Sequence, residues 1–509
     1  MQKSFVWTGV GALLMLIGIA MLVPAAAGIY YAEQEYRIFL ICAGVTVLCG
    51  AVLFAVTKPV KRKNGRIPMR DGYAIAAYGW LAAALFAMIP YLLTGATDTV
   101  ANAFFEAISG FTATGASVLS GLEAQPHCVL LWRSMTQWLG GLGILVLFVA
   151  ILSGQGHGAM QLFQVEATGN LKTKLPPKTV ELACGMGLMY LLFTVIAIVL
   201  YCVAGMGLFD AVNHSFAAIS TGGFSTRDAG IGAYDSPWIA WITVAVMFMA
   251  GLNYALFYHA WHNKSLRGFA DNTELKIYGG IVLVSAALMV LFLAPEYSGQ
   301  FALAVQHSVF QAVSVVSTTG FAVCDTARWA VPARFLLILL LLCGACAGSA
   351  GSGIKIDRHA ILLQKAVQEI RRFLHPNLVT RLKSNHQLMD EDVVLGISTF
   401  FYLYIMLTVA GAAVLSMLGL ELYDAITAVL SCLGGVGPAA GFAAYGALPA
   451  AAKWLLSIYM LVGRLEIYAV LVLIRPFHAK RKEAERTLSL EKLDRDGVIE
   501  PFVRDYDDD

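Results

Sequence analysis

The chain has 509 residues, of which 58 % are hydrophobic and 13 % charged, with a formal net charge of +2. A soluble chain carries roughly 25 % charged residues; the few charges here are bunched between long apolar runs, which excludes an ordinary cytosolic domain and points to lipid as the solvent. So small a net charge, with no basic stripe, also excludes a nucleic-acid-binding protein.

A run of about 20 apolar residues spans a bilayer core. Ten such runs occur, at 5–31, 37–57, 72–94, 128–152, 179–205, 237–261, 275–295, 333–354, 393–419 and 452–474. The first resembles a signal peptide, with Lys3, an apolar stretch to Val23 and then Ala25-Ala26-Ala27. It continues to Tyr31 and is followed closely by the second, so the two read as a retained hairpin, 1–66.

The remaining spans come in pairs. Between the members of each pair lies a stretch too short to cross, ending in glycine and threonine, of the kind that re-enters a membrane. The first runs from Ala103 through Phe111-Thr112-Ala113-Thr114-Gly115 to Ser117. The second runs from His214 to Ser220-Thr221-Gly222-Gly223-Phe224-Ser225, and the third from Val309 to Ser317-Thr318-Thr319-Gly320-Phe321. The fourth runs from Ala425 to Gly434-Gly435-Val436-Gly437-Pro438. The expected fold is an all-α polytopic membrane protein. Four pseudo-symmetric helix–pore-loop–helix repeats surround one pore, and an N-terminal two-helix hairpin is added. The repeats are 67–165, 166–270, 271–385 (with an intramembrane gating loop) and 386–480, and 481–509 is a cytoplasmic tail.

Lysine and arginine collect on alternate connections: Lys58 to Arg66, Lys172 to Lys178, Lys264 to Lys276, Lys355 to Lys383 and Arg475 to Arg486. Cytoplasmic connections carry this excess, so both termini are placed in the cytoplasm and the four loops enter from outside.

A dehydrated potassium ion needs a ring of oxygens, and backbone carbonyls supply one without the deep trap of a carboxylate. Aiming carbonyls inward takes backbone geometry that glycine permits. Gly115, Gly222, Gly320 and Gly437 are therefore expected at equivalent places, with Thr114, Thr221 and Thr319 before three of them and Val436 before the fourth. The expected ion-binding set is Thr112, Ala113, Thr114, Gly115, Ser220, Thr221, Gly222, Thr318, Thr319, Gly320, Gly435, Val436 and Gly437. Asp210 and Asp424 suit the positive ends of two short helices. Asp228 and Asp325 follow two loops and are expected to draw cations to the mouth.

Two features read as a gate. The eighth span runs into a segment dense in small residues, with Gly348, Ser349, Gly351, Gly353 and Lys355, which should break the helix beside a cavity. Arg464 sits mid-span in the last apolar run, where a charge costs about 2.5–3.5 kcal/mol, so it should face a cavity or a partner. Glu466 falls on another face of that helix. The nine cysteines lie mostly in apolar stretches and read as buried small hydrophobes, the Cys343/Cys346 pair included.

These residues carry a resemblance. The chain resembles a Trk-type member of the Trk/Ktr/HKT superfamily of potassium uptake proteins. The motifs are Trp132-Arg133-Ser134-Met135-Thr136-Gln137-Trp138-Leu139-Gly140-Gly141, Ser220 to Phe224, Ser317 to Phe321, Gly348 to Lys355 and Gly463-Arg464-Leu465-Glu466. The resemblance implies potassium uptake across a bacterial inner membrane through four glycine-centred filters, gated by the third repeat's loop and the last span's arginine. It implies a homodimer with a pore in each protomer and a cytosolic ring of nucleotide-binding regulatory subunits. No nucleotide-binding motif occurs on this chain, so nucleotide belongs to those subunits and potassium is the only ligand expected here. The family often has an asparagine where this chain has Gly434-Gly435. A gated channel and a symporter coupled to protons or sodium both remain open; no enzyme's cluster of nucleophile, acid or metal groups is present.

Overall fold

The computed structural model describes residues 3–57, 69–143, 178–297, 299–375, 383–384, 387–388, 391–440, 442–465, 467 and 470. Helices α1 (Lys3–Ala20), α2 (Leu22–Tyr30) and α3 (Tyr36–Val56) form the N-terminal hairpin. It rests on α4 (Met69–Leu93) and, through α2, on α6 (His127–Leu142). Between those two lies the short α5 (Val100–Phe111).

The same order recurs three times. A long α7 (Lys178–Val203), a short α8 (Leu208–Ile219) and the pair α9 (Pro237–Ala250) and α10 (Tyr254–Asn263) come first. After the brief α11 (Arg267–Asp271) come α12 (Thr273–Leu293), α13 (Phe301–Val316) and α14 (Val331–Leu341), then α15 (Ile356–Leu374). The last set is α16 (Glu391–Met417), α17 (Leu422–Gly434) and α18 (Ala450–Leu465). An antiparallel pair of two-residue strands, β1 (Lys383–Ser384) and β2 (Gln387–Leu388), departs from a wholly helical chain.

The long members have 25, 26, 21 and 27 residues. At 1.5 Å per residue each reaches about 30 Å, enough for the bilayer core. The closing members α6, α9, α14 and α18 have 16, 14, 11 and 16. Two expected spans are therefore broken where the hydropathy suggested one helix. The 237–261 run is two helices bent by 84°, because Gly251, Leu252 and Asn253 leave the helix and the Asn253 side chain caps a new one by accepting from Ala255 N–H at 2.9 Å. The 333–354 run stops at Leu341 and continues as irregular backbone. The 128–152 run is helical to Leu142, and its remainder lies outside the described residues, as do most of the basic residues used for orientation and Glu466.

The closing helices join the sets into a circle. Helix α6 packs on α5 and α8, α9 on α8 and α13, α14 on α13 and α17, and α18 on α17 and back on α5. The C-terminal halves of the short helices are buried, and their ends converge. In α5 every residue from Ala103 to Phe111 is buried.

Candidate functional site: a closed ring of four loops

Each short helix ends in one repeated piece of backbone. Thr114, Gly222, Thr319 and Val436 each donate N–H to the carbonyl five residues back, of Ser109, Ala217, Ser314 and Ser431, at 2.8–2.9 Å. The residue before each is left-handed: Ala113 (φ 51°), Thr221 (53°), Thr318 (58°) and Gly435 (66°). The residue after is a left-handed glycine: Gly115 (80°), Gly223 (76°), Gly320 (84°) and Gly437 (73°). Three non-glycine residues at positive φ is uncommon and marks a constrained functional segment.

This register corrects one expectation. The glycine equivalent to Gly115, Gly320 and Gly437 is Gly223, whereas Gly222 occupies the place of Thr114, Thr319 and Val436 and has no positive φ. Matching the letters Ser-Thr-Gly to Thr-Thr-Gly shifted the second loop by one. Threonine therefore precedes the ring glycine in only two loops, the first and third. Those two hydroxyls face back along the chain: Thr114 Oγ pairs with Thr112 Oγ at 2.8 Å, and Thr319 Oγ with Ser317 Oγ at 2.7 Å.

The loops meet in a cycle. A Cβ placed on Gly115 would collide with the Gly222 carbonyl oxygen, one on Gly223 with that of Thr319, one on Gly320 with that of Val436, and one on Gly437 with that of Thr114. All four approaches are closer than 3.0 Å, where Cβ atoms essentially never sit. Each loop thus lays its glycine against the carbonyl of the next, and the fourth closes on the first. Glycine is required here by close approach as well as by φ.

Beyond the glycines lies a cavity of about 490 Å³, lined by residues such as Ser117, Phe224, Ser225, Phe321 and Pro438. Asp228 and Asp325 also line it, but their carboxylates are engaged. Asp228 accepts from Gly121 and Leu122 N–H at 2.8 and 3.1 Å, and Asp325 caps Ala327 and pairs with Arg328 at 3.1 Å. Asp210 lies in the first turn of α8, where it accepts from Thr226 Oγ at 2.7 Å and Arg227 at 3.2 Å. Asp424 lies in the first turn of α17.

At the helix ends, the 342–355 segment packs against the third and fourth loops. A cavity of about 100 Å³ remains beside it, and Gly348, Ser349, Gly351, Gly353, Lys355 and Arg464 all line it. Ser352 N–H donates to Thr318 Oγ at 3.0 Å, and the Ser352 side chain lies against Gly435. Arg464 holds this segment by donating to the Ala350 carbonyl at 2.8 Å and Ser352 Oγ at 3.1 Å. Its other nitrogen reaches the Gly140 carbonyl of α6 at 2.7 Å. Lys355 Nζ donates to the Gly351 carbonyl, and Glu274 accepts Ala347 N–H at 2.6 Å.

Sequence reasoning gave no role to three residues behind the ring, although Arg133 and Gln137 stand in the Trp132–Gly141 motif. Glu106, in the middle of α5, and Arg133, in α6, form an ion pair at 2.8 Å with side chains 0 % and 2 % exposed. Gln137 donates to the Gly222 carbonyl at 2.6 Å and accepts Phe224 N–H at 3.1 Å. The reasoning that singled out Arg464, a charge within an apolar run, applied equally to Glu106 and Arg133. Among the described residues no group of three His, Cys, Asp or Glu side chains could hold a metal.

The long apolar helices and the closed circle of half-length helices define a multi-pass membrane protein. The profile of the TrkH family, described as a cation transport protein, matches residues 43–483, and the chain belongs to that family. It is 35 % identical over 474 residues to the Trk system potassium uptake protein TrkH of Halomonas elongata, covering 92 % of this chain and 97 % of that one. It is 34 % identical to TrkH of Escherichia coli K12, with the same coverage, and 30 % to TrkG of that strain, over 92 % and 96 %. The crystal structure of the potassium transporter TrkH from Vibrio parahaemolyticus superposes with a TM-score of 0.85 at 32 % identity, over 94 % of this chain and 99 % of that one. These are membrane transport proteins, not enzymes.

Proposed function

We propose that the ring is the selectivity filter of a potassium uptake pathway, one per chain, and that the 342–355 segment with Arg464 is its gate. The observation that carries this is the closed cycle of four glycine-to-carbonyl contacts. A ring of carbonyl oxygens at the converging C-terminal ends of four helices replaces the water of a bare cation and favours its charge. Potassium is favoured as the ion because the relatives named above are potassium uptake proteins. The division into a hairpin and four helix–loop–helix repeats follows from the same reading.

The protein then sits in a bacterial inner membrane with both termini in the cytoplasm and its loops entering from outside. It works as a homodimer with a cytosolic nucleotide-binding regulatory subunit, which carries the nucleotide. Arg464 favours a gate over a mere support, since it ties the segment beneath the third and fourth loops to α6 of the first set. The test is reconstitution in liposomes with rubidium, potassium or sodium gradients. Rubidium uptake that follows the imposed gradient, with sodium excluded, is expected. Potassium movement against its electrochemical gradient, driven by protons or sodium, would replace the channel-like reading with symport.

A further inference from the structure

Beside the ring there is a second construction, and it belongs to only half of the loops. The residue nine places before each ring glycine is Glu106, His214, Gln311 or Ala428, and the residue two places after it is Ser117, Ser225, Ala322 or Ala439. In the first loop the Glu106 carboxylate accepts from Ser117 Oγ at 2.9 and 3.1 Å and from Val118 N–H at 2.9 Å. In the second, His214 Nε2 pairs with Ser225 Oγ at 3.0 Å. The third and fourth have alanine at the serine position and no hydroxyl to bind there.

Arg133 joins the two braces. Its Nε donates to Glu106 at 2.8 Å, one terminal nitrogen to Ser117 Oγ at 3.0 Å, and the other to the Ser225 carbonyl at 3.0 Å. Its guanidinium lies over the Phe224 ring, 4.3 Å from the centroid. The planar fork of arginine allows this, whereas the point charge of lysine does not. Arg133 therefore spans the boundary between two sets and fixes the spacing of the segments that leave Gly115 and Gly223. Its charge also neutralises a carboxylate that would otherwise attract a cation behind the ring instead of within it.

We infer that Glu106 and Arg133 are positioning residues that set ion discrimination by holding the first two loops at a fixed separation. This rests on the filter reading. A carbonyl ring discriminates between cations through the placement and number of its oxygens, and this pair governs the placement of two of the four segments. Buried, fully bonded networks of this kind are rigid because every member is satisfied and removal of one leaves another unpaired.

The test uses the full-length protein in liposomes and the ratio of initial rubidium to sodium uptake. Ser117→Ala removes the hydroxyl shared by Glu106 and Arg133 but leaves the ion pair, so it should fold. It should lower the ratio about threefold, the loss of the bonds to the Glu106 carboxylate and the Arg133 guanidinium partly offset by the ion pair that remains. Ser117→Thr keeps the hydroxyl and should restore the wild-type ratio. Arg133→Lys should lower the ratio about tenfold while rubidium uptake persists. Gly320→Ser is measured alongside. A wild-type ratio in Ser117→Ala overturns the inference even if Arg133→Lys yields no folded protein, as does an equal change in Ser117→Ala and Ser117→Thr. If Gly320→Ser alters the ratio in that case, the filter reading stands without the brace. If Gly320→Ser also leaves it unchanged, the filter reading itself fails.

Discussion

The ring and the segment against it are adjacent and built on opposite principles. In the ring one contact is made four times, with a left-handed glycine against the next loop's carbonyl. Against the helix ends each contact is made once: among the described residues, only the third set carries an irregular segment like 342–355, and only the fourth has an arginine reaching it. The closing helices α6 and α18 show where the two principles part. Gly140 packs on the carbonyl of Phe111, and Gly463 on that of Leu433, the matching residue of the fourth loop. The next residue is Gly141 in one and Arg464 in the other. Coordinating a spherical ion calls for equal oxygens from all sides. A gate calls for a single obstacle with a hold that can be released.

The largest expected effects come from breaking the repeated contact. Gly223→Ala and Gly320→Ala place a methyl against a backbone oxygen at positive φ. Forcing a group into a packed site costs about 1–3 kcal/mol, so the rubidium-to-sodium uptake ratio should fall about tenfold or more. Gly222→Ala is the sharper comparison. Its methyl would meet the Gln137 side chain instead of backbone, at ordinary φ, and should do less. Equal effects at positions 222 and 223 would refute the register.

That register shows what was legible in the letters and what was not. The four loops stood out because glycine and threonine recur about every 100 residues within an apolar chain. The one-residue slip in the second loop did not, since Ser220-Thr221-Gly222 reads like Ser317-Thr318-Thr319-Gly320 with one residue removed. The left-handed φ of Thr221 and Gly223 and the Gly222 N–H bond to Ala217 identify Thr221 as the partner of Thr318. The spans were legible from hydropathy, and the small residues of the 344–355 segment announced the break of the eighth; the break of the sixth was not legible, because the residues around Leu252 are as apolar as a helix needs. Asn253, a capping residue inside an apolar run, was the available signal. The contacts of Arg464 and the Glu106–Arg133 pair join residues distant in the chain, where a single sequence has no periodicity to reveal them.

The next effects concern the contacts made once. Arg464→Ala removes three hydrogen bonds, to Ala350, Ser352 and Gly140. Each bond from a charged donor is worth about 1.5–3 kcal/mol. Basal rubidium flux without a regulatory partner should rise about tenfold, with the rubidium-to-sodium ratio unchanged. Thr318→Val removes the hydroxyl that accepts Ser352 N–H. This neutral bond is worth about 1 kcal/mol, so flux should rise about fivefold at most. A change in selectivity without a change in basal flux, in either variant, would merge the two regions into one device.

The smallest effect lies outside both regions and serves as their control. Glu33, in the turn between α2 and α3, accepts His127 N–H at 2.5 Å and Cys128 N–H at 3.0 Å at the start of α6. It also pairs with His127 Nδ1 at 2.7 Å. Burial pushes its carboxyl up, but these hydrogen bonds outweigh it and hold the group below its ordinary 4.5. A depressed carboxylate contributes stability that is fully present above its unfolded-state value and is lost as pH falls through the folded one. In detergent, the wild-type protein should therefore melt higher than Glu33→Gln at neutral pH, and the gap should close as pH drops below the ordinary carboxylate range. Rubidium selectivity and basal flux should be unchanged, because the contact secures the hairpin and reaches neither the ring nor the segment against it. A shift in either would mean that the hairpin bears on the pore.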